Sequence, residues 1–110
     1  MINWDRVRSL RDDIGNEEFD EIVDIFLEEV QEVVDKLRDA PVVADLEFDL
    51  HALKNGALNL GFMDLSGLCQ TGERRAAQGD GVAVDLQQIV GVFESSRRQF
   101  LTDLPTELEG

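Results

Sequence analysis

An all-α fold, an antiparallel up-down four-helix bundle with an extra short N-terminal helix, is what the sequence predicts. Three observations lead there. Apolar residues recur at three- and four-residue steps in five stretches, the spacing that lines one face of a helix. Short breaks carrying Gly, Asn, Asp or Pro separate those stretches. Strand patterns do not compete, because Val82-Ala83-Val84 is short and runs straight into a better helical stripe.

The first helix carries Trp4, Val7, Leu10 and Ile14, with Asn3 as its cap. Gly15-Asn16 ends it, since both residues tolerate the left-handed turn that follows a helix. The second is the longest, with Phe19, Ile22, Val23, Phe26, Val30, Val33, Val34 and Leu37 as one apolar stripe. Glu17, Glu18, Asp20 and Glu21 load its start and Lys36 and Arg38 its end, both in the sense the helix dipole favours. Ala40 to Ala44, with Pro41, form a connector. Asp45 is expected to cap the third helix, whose buried stripe is Leu46, Leu50, Leu53, Ala57 and Leu60. Gly61 ends or bends it, and a fourth helix follows almost at once with Leu65, Leu68, Cys69, Gly72 and Ala76 inward. After the break Gly79-Asp80-Gly81, a fifth helix turns Leu86, Ile89, Val90, Phe93, Phe100 and Leu101 inward. Arg97 interrupts that stripe, its aliphatic stem lying along the apolar surface, and the tail after Pro105 is expected to fray. The short join between the third and fourth helices makes them antiparallel neighbours. The second and fifth complete the bundle, and the first lies across one end.

Length and composition narrow the function. The 110 residues suit one domain spanning positions 1–110, and 43% apolar with 31% charged residues suits a soluble globular chain. The net charge of −14 argues against nucleic acid and against an anionic membrane, whose phosphates would be repelled. Cys69 is the only cysteine, so no intrachain disulfide forms, and one His with one Cys on separate helices makes a poor metal site. The start, Met1-Ile2-Asn3-Trp4-Asp5-Arg6, lacks the apolar core of a signal peptide, and no apolar run approaches the roughly 20 residues of a membrane span. A cytoplasmic monomer is the expectation. No phosphate-cradling glycine loop is present, and Gly79-Asp80-Gly81 is turn chemistry. Nothing singles out a pair of carboxylates for acid–base hydrolysis.

One residue stands apart. His51 is the only histidine, and Lys54, three residues on, shares its helix face. Asn55 lies one turn beyond His51 and Leu58 two turns beyond, on a face that borders the core without coinciding with it. A neutral imidazole there can act as a nucleophile, and the Lys54 ammonium can balance an arriving phosphoryl group. Counting eleven residues either side of Phe62 sets His51 opposite Glu73, which can fix the ring tautomer, or opposite Arg74, which would add positive charge. Leu58, Phe48 and Phe62 either form an apolar docking patch around His51 or complete the core.

The run His51-Ala52-Leu53-Lys54-Asn55-Gly56-Ala57-Leu58-Asn59-Leu60-Gly61-Phe62 resembles the phosphoacceptor helix of histidine-containing phosphotransfer (HPt) domains. The family pattern is His-x-Leu-Lys-Gly, small residues, then Asn-Leu-Gly, and His51, Leu53, Lys54, Asn59, Leu60 and Gly61 fall on it. Leu65 and Cys69 fit the helix that follows, and Phe19, Phe26 and Asp49 fit the stretch before. One position departs: Asn55 stands where the family carries glycine, and Gly56 comes a residue late. The resemblance implies a stand-alone phosphorelay intermediate without autonomous kinase activity. His51 would accept a phosphoryl group from the aspartate of a response-regulator receiver domain and pass it to another receiver, with Lys54 neutralising the phosphate. The receiver would bring the Mg²⁺, no cofactor belonging to this chain, and an upstream (hybrid) histidine kinase would be the source. The rival expectation is a non-phosphorylated helical adaptor, or a phosphate sink, that binds receivers.

Overall fold

The computed structural model describes residues 2–108, and in it the five stripes become five α-helices. These are α1 (Trp4–Ile14), α2 (Asn16–Asp39), α3 (Leu46–Asn59), α4 (Met63–Ala77) and α5 (Leu86–Glu107). Short 3₁₀ turns occupy Val43–Asp45 before α3 and Gly81–Ala83 before α5, so the weak strand candidate lies in a turn.

Side-chain contacts fix how the helices run. Lys36 near the end of α2 reaches Asp49 near the start of α3, while Val30 lies against Gly56 further on. His51 meets Glu73, and Leu50 lies against Gly72, across α3 and α4. Gly72 is close to Ile89, whereas Phe62, just before α4, touches Phe93 and Phe100 of α5. Leu37 and Arg38 share a crevice with Leu86 and Val90. Each adjoining pair is therefore antiparallel, and the four long helices enclose one apolar core. Val34, Leu37, Leu50, Leu53, Leu65, Cys69, Phe93 and Phe100 are buried at its centre.

The first helix closes one end. The Asn3 side chain accepts the Arg6 N–H, and the Asn3 N–H donates to the Gly61 carbonyl at 2.7 Å. Gly61 has φ +74, and a Cβ there would sit 2.6 Å from the Asn3 oxygen, so the α3–α4 turn admits this approach only with glycine. Trp4 stacks on Phe100 at 5.5 Å.

Several expectations are corrected. Asp45 does not cap α3: it ends the 3₁₀ turn with near-helical φ/ψ, unlike the extended cap conformation, and its carboxylate binds Lys36 at 3.1 Å. Leu101 is exposed, and the inward stripe of α5 steps from Phe93 through buried Ser96 to Phe100. Arg97 therefore lies off the stripe, exposed, and interrupts nothing. The chain after Pro105 does not fray up to Leu108. Helix α5 runs through Pro105 to Glu107, because Arg8 binds the Glu107 carbonyl and carboxylate and Arg11 donates to the Leu108 carbonyl at 2.8 Å. Those two arginines satisfy carbonyls that a helix end leaves without a partner. The last two residues of the tail lie outside the described residues. Among the described residues, no helix is long and apolar enough to cross a membrane.

Candidate functional site

The site lies on the outer face of α3 where α4 runs beside it. Leu50, Leu53 and Ala57 turn inward, which forces His51, Ala52 and Asn55 outward on a helix of 3.6 residues per turn. The His51 side chain is 55% exposed.

Glu73 of α4, and not Arg74, faces the imidazole. Its Oε1 lies 2.7 Å from His51 Nδ1, and its Oε2 accepts from Lys54 Nζ at 2.8 Å. One carboxylate thus joins the two residues that share the face of α3. Lys54 first, and then His51, hold the Glu73 carboxyl below the ordinary glutamate range. A carboxylate at Nδ1 calls for the proton there, which leaves the lone pair on Nε2. Nε2 is the nitrogen left out of this bridge, with the Asn55 amide 3.4 Å away. The Lys54 ammonium is not directed at open solvent. Its side chain is only 21% exposed and is paired with Glu73.

Asp49, two residues before His51, is buried and its Oδ2 is 2.8 Å from Lys36 Nζ. The Asp49 carboxylate beside it, and then the hydrogen bond to Asp45, raise the Lys36 ammonium above the ordinary lysine range. This pair fastens the start of α3 to the end of α2 and so sets the pose of His51. Composition offered no sign of it, although Lys36 at a helix end followed by two acids nine and thirteen residues on was the available hint.

The three apolar candidates separate. Phe48, one turn before His51, is 77% exposed, and Leu58 is at the margin with 36%. Phe62 is fully buried, its ring edge-on to Phe100 at 5.4 Å, so it belongs to the core and not to a docking patch. It sits in the turn between helices, where periodicity cannot assign a face. Gly56, displaced by one residue from the family position, also has a structural use. A Cβ there would fall 2.5 Å from Val30 Cγ2, so glycine lets α2 and α3 close together. Behind the site, burial pushes the Cys69 thiol up to about 12, with the Glu73 charge adding to it, so this cysteine is inert. Among the described residues, no group of three or more His, Cys, Asp or Glu side chains is placed to hold a metal ion.

A family model, the Hpt domain, matches residues 21–110, which takes in α3, α4, α5 and most of α2. The chain belongs to the Hpt family. No curated protein and no solved structure matches it. Hpt domains are helical bundles that serve histidine phosphotransfer in two-component signalling, working with receiver domains and histidine kinases as carriers rather than as kinases. The match begins within α2, so α1 lies outside it.

Proposed function

We propose that His51 is the phosphoacceptor of a phosphorelay intermediate, charged by the aspartyl phosphate of one receiver domain and discharged to another. The observation that carries this reading is the Glu73 carboxylate 2.7 Å from Nδ1 of an exposed histidine in an Hpt chain. It supports a ring with its proton on Nδ1 and its lone pair on Nε2.

Nε2 attacks phosphorus in line. The N–P bond forms as the aspartyl O–P bond breaks, and the aspartate oxygen keeps the bonding pair. The ring becomes an imidazolium that retains its Nδ1 proton, and the positive charge develops against Glu73. On the return journey that same cation is a good leaving group, so transfer runs both ways. The Mg²⁺ and most of the charge stabilisation come with the receiver. This chain supplies a positioned nucleophile and a surface to dock on. Lys54 is held by Glu73 at rest. Its flexible four-carbon stem lets the ammonium swing to the phosphoryl oxygens once they arrive. Exposed Phe48 and Leu58 flank His51 on α3 and offer the receiver apolar contact.

Incubation with a phosphorylated receiver tests the proposal. Label that is acid-labile and alkali-stable should appear on the wild-type chain and vanish in His51→Gln, which should still bind the receiver. Equal labelling of His51→Gln would place the acceptor elsewhere and overturn the reading.

A further inference from the structure

The lone pair that His51 needs for attack is already engaged. Glu73 takes the Nδ1 side of the ring, and the Asn55 Nδ2 lies 3.4 Å from Nε2 on the other. With the Nδ1 proton directed at a carboxylate, Nε2 can only accept, and an amide N–H can only donate. The reverse orientation of the Asn55 amide would set its oxygen lone pairs against that of Nε2. The ring is therefore held at both nitrogens by a directed chain in which Asn55 donates to His51, His51 to Glu73, and Lys54 also to Glu73.

We propose that Asn55 is a latch on the reacting nitrogen: its amide caps the Nε2 lone pair at rest and must leave before phosphorus can approach. This rests on the reading of His51 as phosphoacceptor and sharpens it, since residue 55 then sets the rate at which the chain accepts a phosphoryl group. Attack in line brings phosphorus to within about 3–3.5 Å of the nitrogen along its lone pair. The amide occupies that direction at a similar distance, so the two compete for one place. Asn55 is on the same helix as His51, four residues on, and helix geometry keeps it beside the ring in every encounter. The family's glycine at this position has no group that can do this. Gly56 does not restore the open lone pair, because it is turned toward Val30.

A donor too small to dock separates the latch from the receiver interface. Phosphoramidate serves: the Nε2–P bond forms as the donor's P–N bond breaks, and ammonia leaves with the pair. Two substitutions divide hydrogen bonding from bulk. Asn55→Ala removes the amide and improves helix propensity, and Asn55→Leu removes the donor while keeping the size. Losing a neutral hydrogen bond from the ground state should speed labelling of His51 by about two- to tenfold in both variants. Nitrogen NMR of the neutral ring gives a readout that mere stability would not move. The Nε2 resonance should shift in both variants while the Nδ1 resonance stays that of a protonated nitrogen bound to Glu73. Unchanged or slower labelling in both overturns the latch, as does an Nε2 resonance that does not move. Faster labelling in Asn55→Ala alone also overturns it, because crowding would then be the cause. A labelled wild type with variants of equal rate condemns the latch only. If wild type and variants all stay unlabelled by phosphoramidate and by phosphorylated receiver, His51 is not the acceptor and both readings fall.

Discussion

At the scale of single residues, Glu73 does more than its position on a wheel suggests. It binds His51 and Lys54 at once, and the cost of protonating it is the loss of both contacts. Its folded pKa is depressed, so the stability it adds is fully present above the ordinary glutamate value and disappears as pH falls through the depressed one. A carbon NMR titration of the Glu73 carboxyl should follow this, with the His51 ring signals changing over the same interval. Glu73→Gln should show no such interval, and a Glu73 carboxyl titrating at the ordinary value would contradict the bridge. Glu73 was legible in the sequence because the α3–α4 connection is so short that counting across it keeps register. The engagement of Lys54 was not, because counting gives positions and not the pairing of long side chains. Phe62, which is fully buried and ring-packed, was left open between core and docking patch for a different reason: it belongs to no helical stripe, and apolar character alone does not tell a core residue from an exposed one.

At the scale of elements, α3 must satisfy two neighbours with one surface. Its inner stripe packs the core, its small residue Gly56 admits α2, and what remains outward is the strip through Phe48, His51, Asn55 and Leu58. Burial then separates stability from docking within one helix and its turn. Phe62→Ala removes a fully enclosed ring and should cost about 3–5 kcal/mol in denaturant unfolding. Phe48→Ala truncates a side chain that water already reaches and should change stability by no more than about 0.5 kcal/mol. It should nevertheless weaken receiver binding by about 1–2 kcal/mol in calorimetry, as an exposed aromatic anchor does when removed from an interface. A Phe48→Ala chain that unfolds early, or binds a receiver as wild type does, would remove Phe48 from the docking strip. The stripes of the first four helices were readable because three- and four-residue spacing leaves little choice of face, whereas in α5 buried Ser96, a polar residue, carries the stripe from Phe93 to Phe100, and Leu101 was taken for part of it. The ends were less so. Whether Asp45 caps depends on the φ/ψ of one residue, and a lysine from the preceding helix claims its carboxylate.

At the scale of the whole molecule, stability and chemistry occupy different regions of a body 45 Å long. His51 lies ten residues before Gly61, about 15 Å up α3 from the turn that Asn3 grips, at 1.5 Å per helical residue. Around that turn gather Trp4 on Phe100, and Arg8 and Arg11 on the carbonyls that end α5. The amphipathic pattern of α1 was visible in sequence, but its use of two arginines as ties to the far end of the chain was not, since contacts between residues almost a hundred apart leave no local trace. The arginines also explain how α5 carries Pro105 within its last turn and still holds its end. Proline gives up one hydrogen bond, and the guanidinium groups supply others from outside the helix. Charge-assisted bonds at a partly exposed site are worth less than buried ones, so replacing both arginines with alanine should cost about 1–2 kcal/mol. For a chain of this length that is a fall in Tm of roughly 4–10 °C, readable by circular dichroism. Below the new transition the double variant should still accept label on His51 to the wild-type extent, because no contact of the Lys54–Glu73–His51–Asn55 chain passes through α1. Loss of labelling in a variant that remains folded would show that the closing helix reaches the site, and that the two regions act as one.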